Sequence, residues 1–251
     1  MGLLRQPDDL SEKEIEEIEK VSLRALFLAA VDFGFDAALV FFQSQDDPKD
    51  VAEDTTREML DRMSGYRIEQ RIFGNVDYRK ARYMILPDFA VCQALFVDSK
   101  AEKDDTSATL QMSQVSLIVR QKRGGMDVEE PGLLKPIDQF GGSQYLSTVL
   151  LAHYFYQDSH TIAFDRRDGH DHPPYTLFQL TLAAIPNGRL QDIYNSNADD
   201  HIWKAGRNSP KRNEPFRVRL DFQRLQNKAS WRVQRITYDH EKKSITAKWR
   251  D

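Results

Sequence analysis

The sequence predicts an α/β fold in which a central mixed β-sheet is flanked by helices. In the first quarter of the chain, apolar residues recur at the spacing of an α-helix. Further along, short apolar or alternating runs end at turns that contain Pro or Gly, which is typical of strands. No repeat, low-complexity tract or linker divides the 251 residues, so we expect a single domain over residues 1–251.

The first helix is predicted to begin at Ser11, where Glu14 stands three residues later and completes a capping box. Apolar residues from Ile15 to Phe33 then share one face at helical spacing. We expect this helix to continue to about residue 43.

A second helix is predicted from Asp47, the capping residue, with Pro48 in the first helical position and an end near Gly65. Glu53 lies in its first half. Acidic residues near the start of a helix interact favourably with the helix dipole. The position of Glu53 alone therefore favours a structural role.

Two strands are predicted next, over residues 76–86 and 90–101, and the turn between them contains Pro87 and Asp88. A connection this short cannot cross over a sheet, so the two strands should pair antiparallel as a hairpin. The second strand is apolar along most of its length, which favours a buried position.

The remaining elements are read from the length and pattern of each run. Residues 106–121 could form a helix or a loop, and residues 144–157 form a long apolar run that we interpret as a buried helix. Residues 175–185 predict a strand. Residues 216–222 alternate cleanly and predict another strand, whose polar face carries Arg217, Arg219 and Asp221.

Composition limits the function classes. No run of about 18 apolar residues is present, so a membrane span is not expected. The N-terminal residues lack the basic and apolar regions of a signal peptide. Cys92 is the single cysteine, so no intrachain disulfide can form, which fits a reducing cytoplasm.

The formal net charge of −4 is unevenly distributed along the chain. Residues 1–65 contain 16 acidic and 7 basic residues, whereas residues 201–251 contain 14 basic and 5 acidic residues. A basic end on an acidic chain indicates a surface for a polyanion. Ordinary scatter of solvated charges explains the same asymmetry equally well.

The ends of the predicted hairpin carry a candidate catalytic group. Asp77 lies near the start of the first strand, and Asp98 and Lys100 lie on one face at the end of the second, with Ser99 turned away. Asp77, Asp98 and the Ser99 carbonyl are hard oxygen ligands of the kind that Mg²⁺ prefers. Lys100 would reach the attacking water and a phosphate, an arrangement seen in many metal-dependent nucleases. A surface hairpin with an exposed Asp–Lys pair fits the same spacing.

Longer stretches carry a resemblance to a known family. These are "RIFGNVDYRKARYMILP", "QALFVDSKAEKDDTSATLQMSQ", "AAIPNGRLQDIYN" and "FRVRLDFQRL". They resemble the SfiI-like type II restriction endonucleases, in the BglI-related branch of the PD-(D/E)xK nuclease superfamily. The similarity covers most of the chain, although residues about 121–145 and 157–172 match poorly.

The resemblance implies a restriction-endonuclease-like fold and a catalytic set of Asp77, Asp98, Lys100 and the helix acid Glu53. It implies Mg²⁺ as cofactor, with Mn²⁺ as a substitute. The implied reaction is hydrolysis of both strands of a palindromic, interrupted DNA site, which leaves 5′-phosphate and 3′-hydroxyl ends. Residues 1–65 would then form the N-terminal helices, residues 66–120 the catalytic hairpin region and residues 175–251 the DNA-recognition region.

The resemblance also implies that the strand at residues 216–222 reads DNA in the major groove. Arginine pairs with guanine through two hydrogen bonds, so Arg217 and Arg219 are the expected readers. Solvent or salt bridges are the alternative for such a strand face. The further DNA-binding candidates are Lys204, Arg207, Asn208, Ser209, Lys211 and Arg212 in the preceding loop, with Gln111 and Ser113 after the catalytic strand.

The implied partners are double-stranded DNA and further copies of the chain, as a homodimer or homotetramer, because two strands need two active sites. A cognate DNA methyltransferase would belong to the same system, in the cytoplasm and without a membrane partner. A repair or recombination nuclease of the same fold, or a non-catalytic sequence-specific DNA-binding protein, are the competing interpretations.

Overall fold

The computed structural model describes residues 4–44, 46–63, 68–73, 80–159, 174–206 and 217–251. The α-helices in these ranges are α1 Glu12–Phe33, α2 Asp36–Gln43, α3 Pro48–Arg62, α4 Gln191–Tyr194 and α5 Phe222–Lys228. The strands are β1 Ile68–Phe73, β2 Lys80–Leu86, β3 Val91–Glu102, β4 Ser107–Leu110, β5 Ile118–Arg123, β6 Met126–Pro131, β7 Ile137–Phe140, β8 Ser143–Asp158, β9 Tyr175–Ile185, β10 Trp203–Ala205, β11 Val218–Asp221, β12 Val233–Asp239 and β13 Ser244–Ala247.

The main sheet has the strand order β1-β2-β3-β8-β9-β12-β13, and β7 pairs with the start of β8. Strands β3 and β8 pair in parallel, and the other pairs are antiparallel, so the sheet is mixed. A second sheet has the order β10-β11-β4, and β5 pairs with β6. The predicted α/β class with a central mixed sheet is confirmed, as is the hairpin, in which Ala81 pairs with Phe96.

The N-terminal helices begin where the sequence predicts. The Ser11 side chain accepts a hydrogen bond from the backbone N–H of Glu14, whose carboxylate accepts one from Ser11, so the capping box is present. The Asp47 side chain caps α3 at Lys49. The prediction of one helix to residue 43 is wrong, because Gly34 takes φ +63° and α1 and α2 meet at a bend of 69°.

The prediction of a helix over residues 144–157 is wrong, because this run forms most of β8, the strand between β3 and β9. Residues 146–154 are buried on both faces of the strand. A strand covered on both sides needs no polar alternation, so its sequence is a continuous apolar run that resembles a buried helix.

Two further expectations need correction. Residues 106–121 form β4, a short 3₁₀ turn at 112–114 and the start of β5, neither the helix nor the simple loop predicted. The strand predicted over 216–222 ends at Asp221. This residue is buried and accepts hydrogen bonds from the backbone N–H groups of Gln223 and Arg224, so it caps α5 and does not lie on a polar strand face.

Helices α1 and α3 cover one face of β3 and β8, and the second sheet and α5 lie at the other. On one face, Gln93 donates hydrogen bonds to Ser22 of α1 and Thr148, and the Tyr154 hydroxyl bonds to Thr56 of α3. The other face carries Asp98, Lys100, Glu102 and His153, and His153 packs edge-on against Phe222 of α5. Asp98 and Lys100 therefore project from the face of the main sheet opposite α1 and α3, on the side of the second sheet.

Within the described ranges no single helix is long and apolar enough to span a membrane, although the bent pair of α1 and α2 passes the same test of length and composition. Cys92 is buried in β3.

Candidate active site and DNA interface

Asp98 and Lys100 form an ion pair at the far end of β3. Lys100 Nζ lies 2.8 Å from Asp98 Oδ2, and the two side chains are each 21% exposed. Their neighbours in the parallel register on β8 are Leu151 and His153, both fully buried. At the end of this apolar strand, a carboxylate and an ammonium therefore lie together beside buried residues of β8.

A side chain from outside β3 fixes the orientation of Asp98. Gln114, from the 3₁₀ turn, donates a hydrogen bond from Nε2 to Asp98 Oδ1 at 2.6 Å. Burial raises the pKa of Asp98, the Lys100 ammonium opposes that shift, and the negative charges of Glu53 and Glu102 add to it. A positive charge nearby would therefore stabilise the ionised form of Asp98.

The described part of this site fits a hard divalent cation. Asp98 Oδ2 is buried, and the negative charge of Glu53 on α3 acts on the same carboxylate. Carboxylate and carbonyl oxygens are the donors that Mg²⁺ prefers. Ser99 lies between Asp98 and Lys100, opposite Ala152 of β8. Among the described residues no three His, Cys, Asp or Glu side chains form a metal-binding group; Asp77 lies outside those residues.

The second sheet presents a polar row toward this site. Lys204 of β10, Arg219 of β11 and Thr109 of β4 are direct neighbours across the three strands. The opposite side of the same sheet is apolar and fully buried at Trp203 and Leu220. Because the apolar side of this sheet is buried, the polar row is held on its opposite side.

Arg219 is held by acidic and hydroxyl groups. Its Nε donates to Ser107 Oγ at 3.0 Å, and its Nη2 donates to Asp104 Oδ2 at 2.6 Å and Glu102 Oε2 at 3.4 Å. Arg219 therefore forms salt bridges of the kind that are the alternative to DNA reading. Arg217 lies two residues earlier and is half-buried.

Some of the other DNA-binding candidates lie within the described residues, and the rest lie outside them. Lys204 is partly exposed, and its Nζ lies 3.3 Å from Thr106 Oγ1 and 3.7 Å from Asp221. Gln111 is half-buried and Ser113 is buried, at the 3₁₀ turn. The candidates outside the described residues are Arg207, Asn208, Ser209, Lys211 and Arg212.

Gly206 joins β10 to that undescribed loop at a point of close backbone approach. A Cβ at this position would lie 2.0 Å from the carbonyl oxygen of Arg217. Arg123 also donates a hydrogen bond to the Gly206 carbonyl at 2.9 Å. Only glycine fits here without moving the residue before β11.

Comparison with known proteins identifies the family. A family model described as "Type II restriction enzyme SfiI" matches residues 15–236. The chain belongs to the SfiI family of type II restriction enzymes. It is 27% identical over 254 residues to the type II restriction enzyme SfiI of Streptomyces fimbriatus, with 97% of this chain and 91% of the relative covered. As a member of the SfiI family, the chain is a site-specific endonuclease.

Two solved structures are similar to this one. The crystal structure of tetrameric restriction endonuclease SfiI bound to cognate DNA has a TM-score of 0.82 and 27% identity, with 98% of this chain and 93% of that chain covered. The restriction endonuclease BglI bound to its DNA recognition sequence has a TM-score of 0.68 and 15% identity, with 89% and 90% covered. The second likeness shows the shared fold.

Sequence reasoning missed three polar residues of this SfiI-family site. Glu102 continues the alternation of Asp98 and Lys100, and that periodicity alone could have indicated it. Asp104 and Gln114 reach the site from a loop and a 3₁₀ turn. No local pattern distinguishes these two from ordinary surface residues.

Proposed function

We propose that this member of the SfiI family hydrolyses one phosphodiester bond in each strand of a palindromic, interrupted DNA site in a Mg²⁺-dependent reaction. The ends would carry a 5′-phosphate and a 3′-hydroxyl. The observation that carries the proposal is the Asp98–Lys100 ion pair at the end of β3, facing a second sheet whose polar row contains Arg219.

Asp77, Asp98 and the Ser99 carbonyl would hold Mg²⁺, with Mn²⁺ as a substitute. When bound, the ion supplies a water of lowered pKa and neutralises charge on the phosphate. Lys100, kept beside Asp98 by their ion pair, would direct its ammonium to a phosphate oxygen. Glu53 would bind a water at the same site, because its charge already acts on Asp98.

The DNA-reading assignment rests on the β10-β11-β4 sheet. Arg217 and Arg219 would pair with guanines in the major groove. Lys204 would contact a base or a phosphate. The remaining proposed contacts are Arg207, Asn208, Ser209, Lys211, Arg212, Gln111 and Ser113. Residues 66–120 would thus carry the cutting groups and two of the DNA contacts, and residues 175–251 would supply the other contacts that select the site.

The active form would be a homodimer or a homotetramer. Two-fold symmetry places one active site on each strand of a palindrome. The SfiI structure to which this chain is similar is tetrameric and bound to DNA. A cognate DNA methyltransferase in the same cytoplasm would protect the host sites, without direct contact with this chain.

Digestion of a complex genomic DNA, followed by sequencing of the fragment ends, tests this function. The proposal predicts ends at one short palindromic site with Mg²⁺ or Mn²⁺, and intact DNA in the presence of a chelator. Cutting without a divalent cation, or ends with no common sequence, would contradict it. Binding to a defined site without cutting in any metal would favour the non-catalytic DNA-binding alternative.

A further inference from the structure

Glu102 links the catalytic strand to the proposed reading strand. Its Oε1 accepts a hydrogen bond from the backbone N–H of Thr109 on β4 at 3.2 Å. Its Oε2 lies 3.4 Å from Arg219 Nη2 on β11 and 3.8 Å from His153 Nε2 on β8. One carboxylate therefore contacts three strands, and it projects from the same face of β3 as Lys100, two residues earlier.

The environment of this carboxylate favours its charged form. Burial opposes ionisation, but interactions with His153 and Thr109 outweigh it, so the pKa of Glu102 is lowered. His153 is fully buried, and neither of its ring nitrogens forms a hydrogen bond with the described part of the chain. The charged carboxylate of Glu102 can therefore pair with the Arg219 guanidinium, 3.4 Å away.

The contacts of Arg219 occupy one edge of its guanidinium. Ser107 Oγ binds Nε, while the Ser107 carbonyl, Asp104 and Glu102 accept from Nη2. Among the described residues none of these contacts uses Nη1. A guanidinium has five N–H donors in a fixed plane, so binding one edge to the protein determines the direction of the other.

We propose that Glu102 is a positioning residue that fixes Arg219 relative to the Asp98–Lys100 pair, so that recognition of one guanine places the DNA for cutting. The inference rests on the proposed function. Asp104 and Ser107 would orient the guanidinium, but both lie beyond the end of β3. Glu102 would tie it to the strand that carries the catalytic groups.

Glu102→Gln tests this role with little change in shape. Glutamine can still accept from the Thr109 N–H, but it loses the charge that pairs with Arg219. Cleavage of the cognate duplex should slow by about ten- to a hundredfold, the range expected when one base-reading arginine loses its orientation. Cleavage of a duplex altered at the base pair that Arg219 reads should not change, because that duplex gains nothing from Arg219.

A merely structural role would give a different pattern. Glu102→Gln would then slow cutting of the cognate and altered duplexes by the same factor. The altered base pair is identified first, as the position where Arg219→Lys loses discrimination in a set of single-base variants. The double variant Glu102→Gln with Arg219→Lys should discriminate no worse than Arg219→Lys alone, because both changes remove the same interaction.

Asp158→Asn is the matched control. Asp158 forms an exposed ion pair with Lys103, the residue that follows Glu102, at a distance of 2.6 Å. The Asp158→Asn change should leave the cleavage rates of both duplexes as in wild type. Equal slowing of the two duplexes by Glu102→Gln, no slowing, or multiplicative effects in the double variant would overturn the inference. Failure of the wild-type enzyme to cut any defined site would instead overturn the proposed function.

Discussion

Replacing Gln114 by Met should slow cutting without weakening DNA binding. Gln114 donates to Asp98 Oδ1 at 2.6 Å, and its own Oε1 accepts from the Gln111 N–H at 2.9 Å. Methionine nearly keeps the volume of the side chain, but it can neither donate to Asp98 nor accept from the Gln111 N–H. A hydrogen bond to a charged group contributes about 1.5–3 kcal/mol, which corresponds to about a 10- to 150-fold lower kcat if the bond is needed in the transition state.

The assay is steady-state cleavage of a duplex that carries the site found by end sequencing, with kcat and KM determined separately. We expect a lower kcat and an unchanged KM, because Gln114 holds the carboxylate and does not itself bind DNA. Gln139→Met, an exposed glutamine on β7, is the matched control and should cut like wild type. A Gln114→Met enzyme with wild-type kcat would refute the assignment of Gln114 as the group that orients Asp98.

Three further predictions concern stability and geometry. Arg232→Met should lower the free energy of unfolding by about 3–5 kcal/mol in urea titrations, because Glu19, 2.7 Å away and fully buried, loses its counter-charge; a loss below about 1 kcal/mol would contradict this. The pKa of Glu14 is lowered to about 2, chiefly by the hydrogen bond from Arg5. The ionised carboxylate therefore stabilises the fold fully above the unfolded pKa of about 4.3, and this contribution is lost as the pH falls through 2. Glu14→Gln should therefore have a lower urea midpoint than wild type at pH 7, and this gap should narrow from about pH 4.3 downward; a gap constant with pH would contradict it. Gly206→Ala should weaken cognate DNA binding more than non-specific binding in titrations with both duplexes, because the added Cβ displaces the strand that carries Arg219; equal weakening would contradict it.

Local sequence signals predicted the parts of the fold that depend on local contacts. The box at Ser11, the Asp47–Pro48 helix start and the β2–β3 hairpin each lie within a few residues of their own partners. β8 was missed because burial on both faces removes the alternation by which a strand is recognised. β4 was missed because its partner, β11, lies more than a hundred residues later in the chain.

The same distinction between local and long-range contacts applies to the site. Alternation along β3 was sufficient to place Asp98 beside Lys100. The contact of Gln114 with Asp98 and the contact of Glu102 with Arg219 depend on the packing of the second sheet against the first. Sequence spacing carries no information on that packing, so these partners could be found only in the structure.

The basic C-terminal region shows why charge counts alone overstate a DNA surface. Arg232 is fully buried against Glu19, and Lys228 forms an ion pair with Asp200 at 2.7 Å. These two cations are held in ion pairs within the fold, so they add little to a surface for a polyanion. Of the described basic residues, Lys204 and Arg219 lie on the polar row that faces the catalytic strand.

We propose that Asp98 and Lys100 cut at a site that is selected by Arg219 of β11 and by Arg217, which directly precedes that strand. Single-turnover cleavage of the cognate duplex by Lys100→Ala, with DNA binding measured on the same protein, tests it most directly. We expect wild-type affinity and a cleavage rate lower by about 10²- to 10³-fold, the loss found when one donor that stabilises transition-state charge is removed. Cleavage by Lys100→Ala at the wild-type rate would show that this lysine has no part in the reaction.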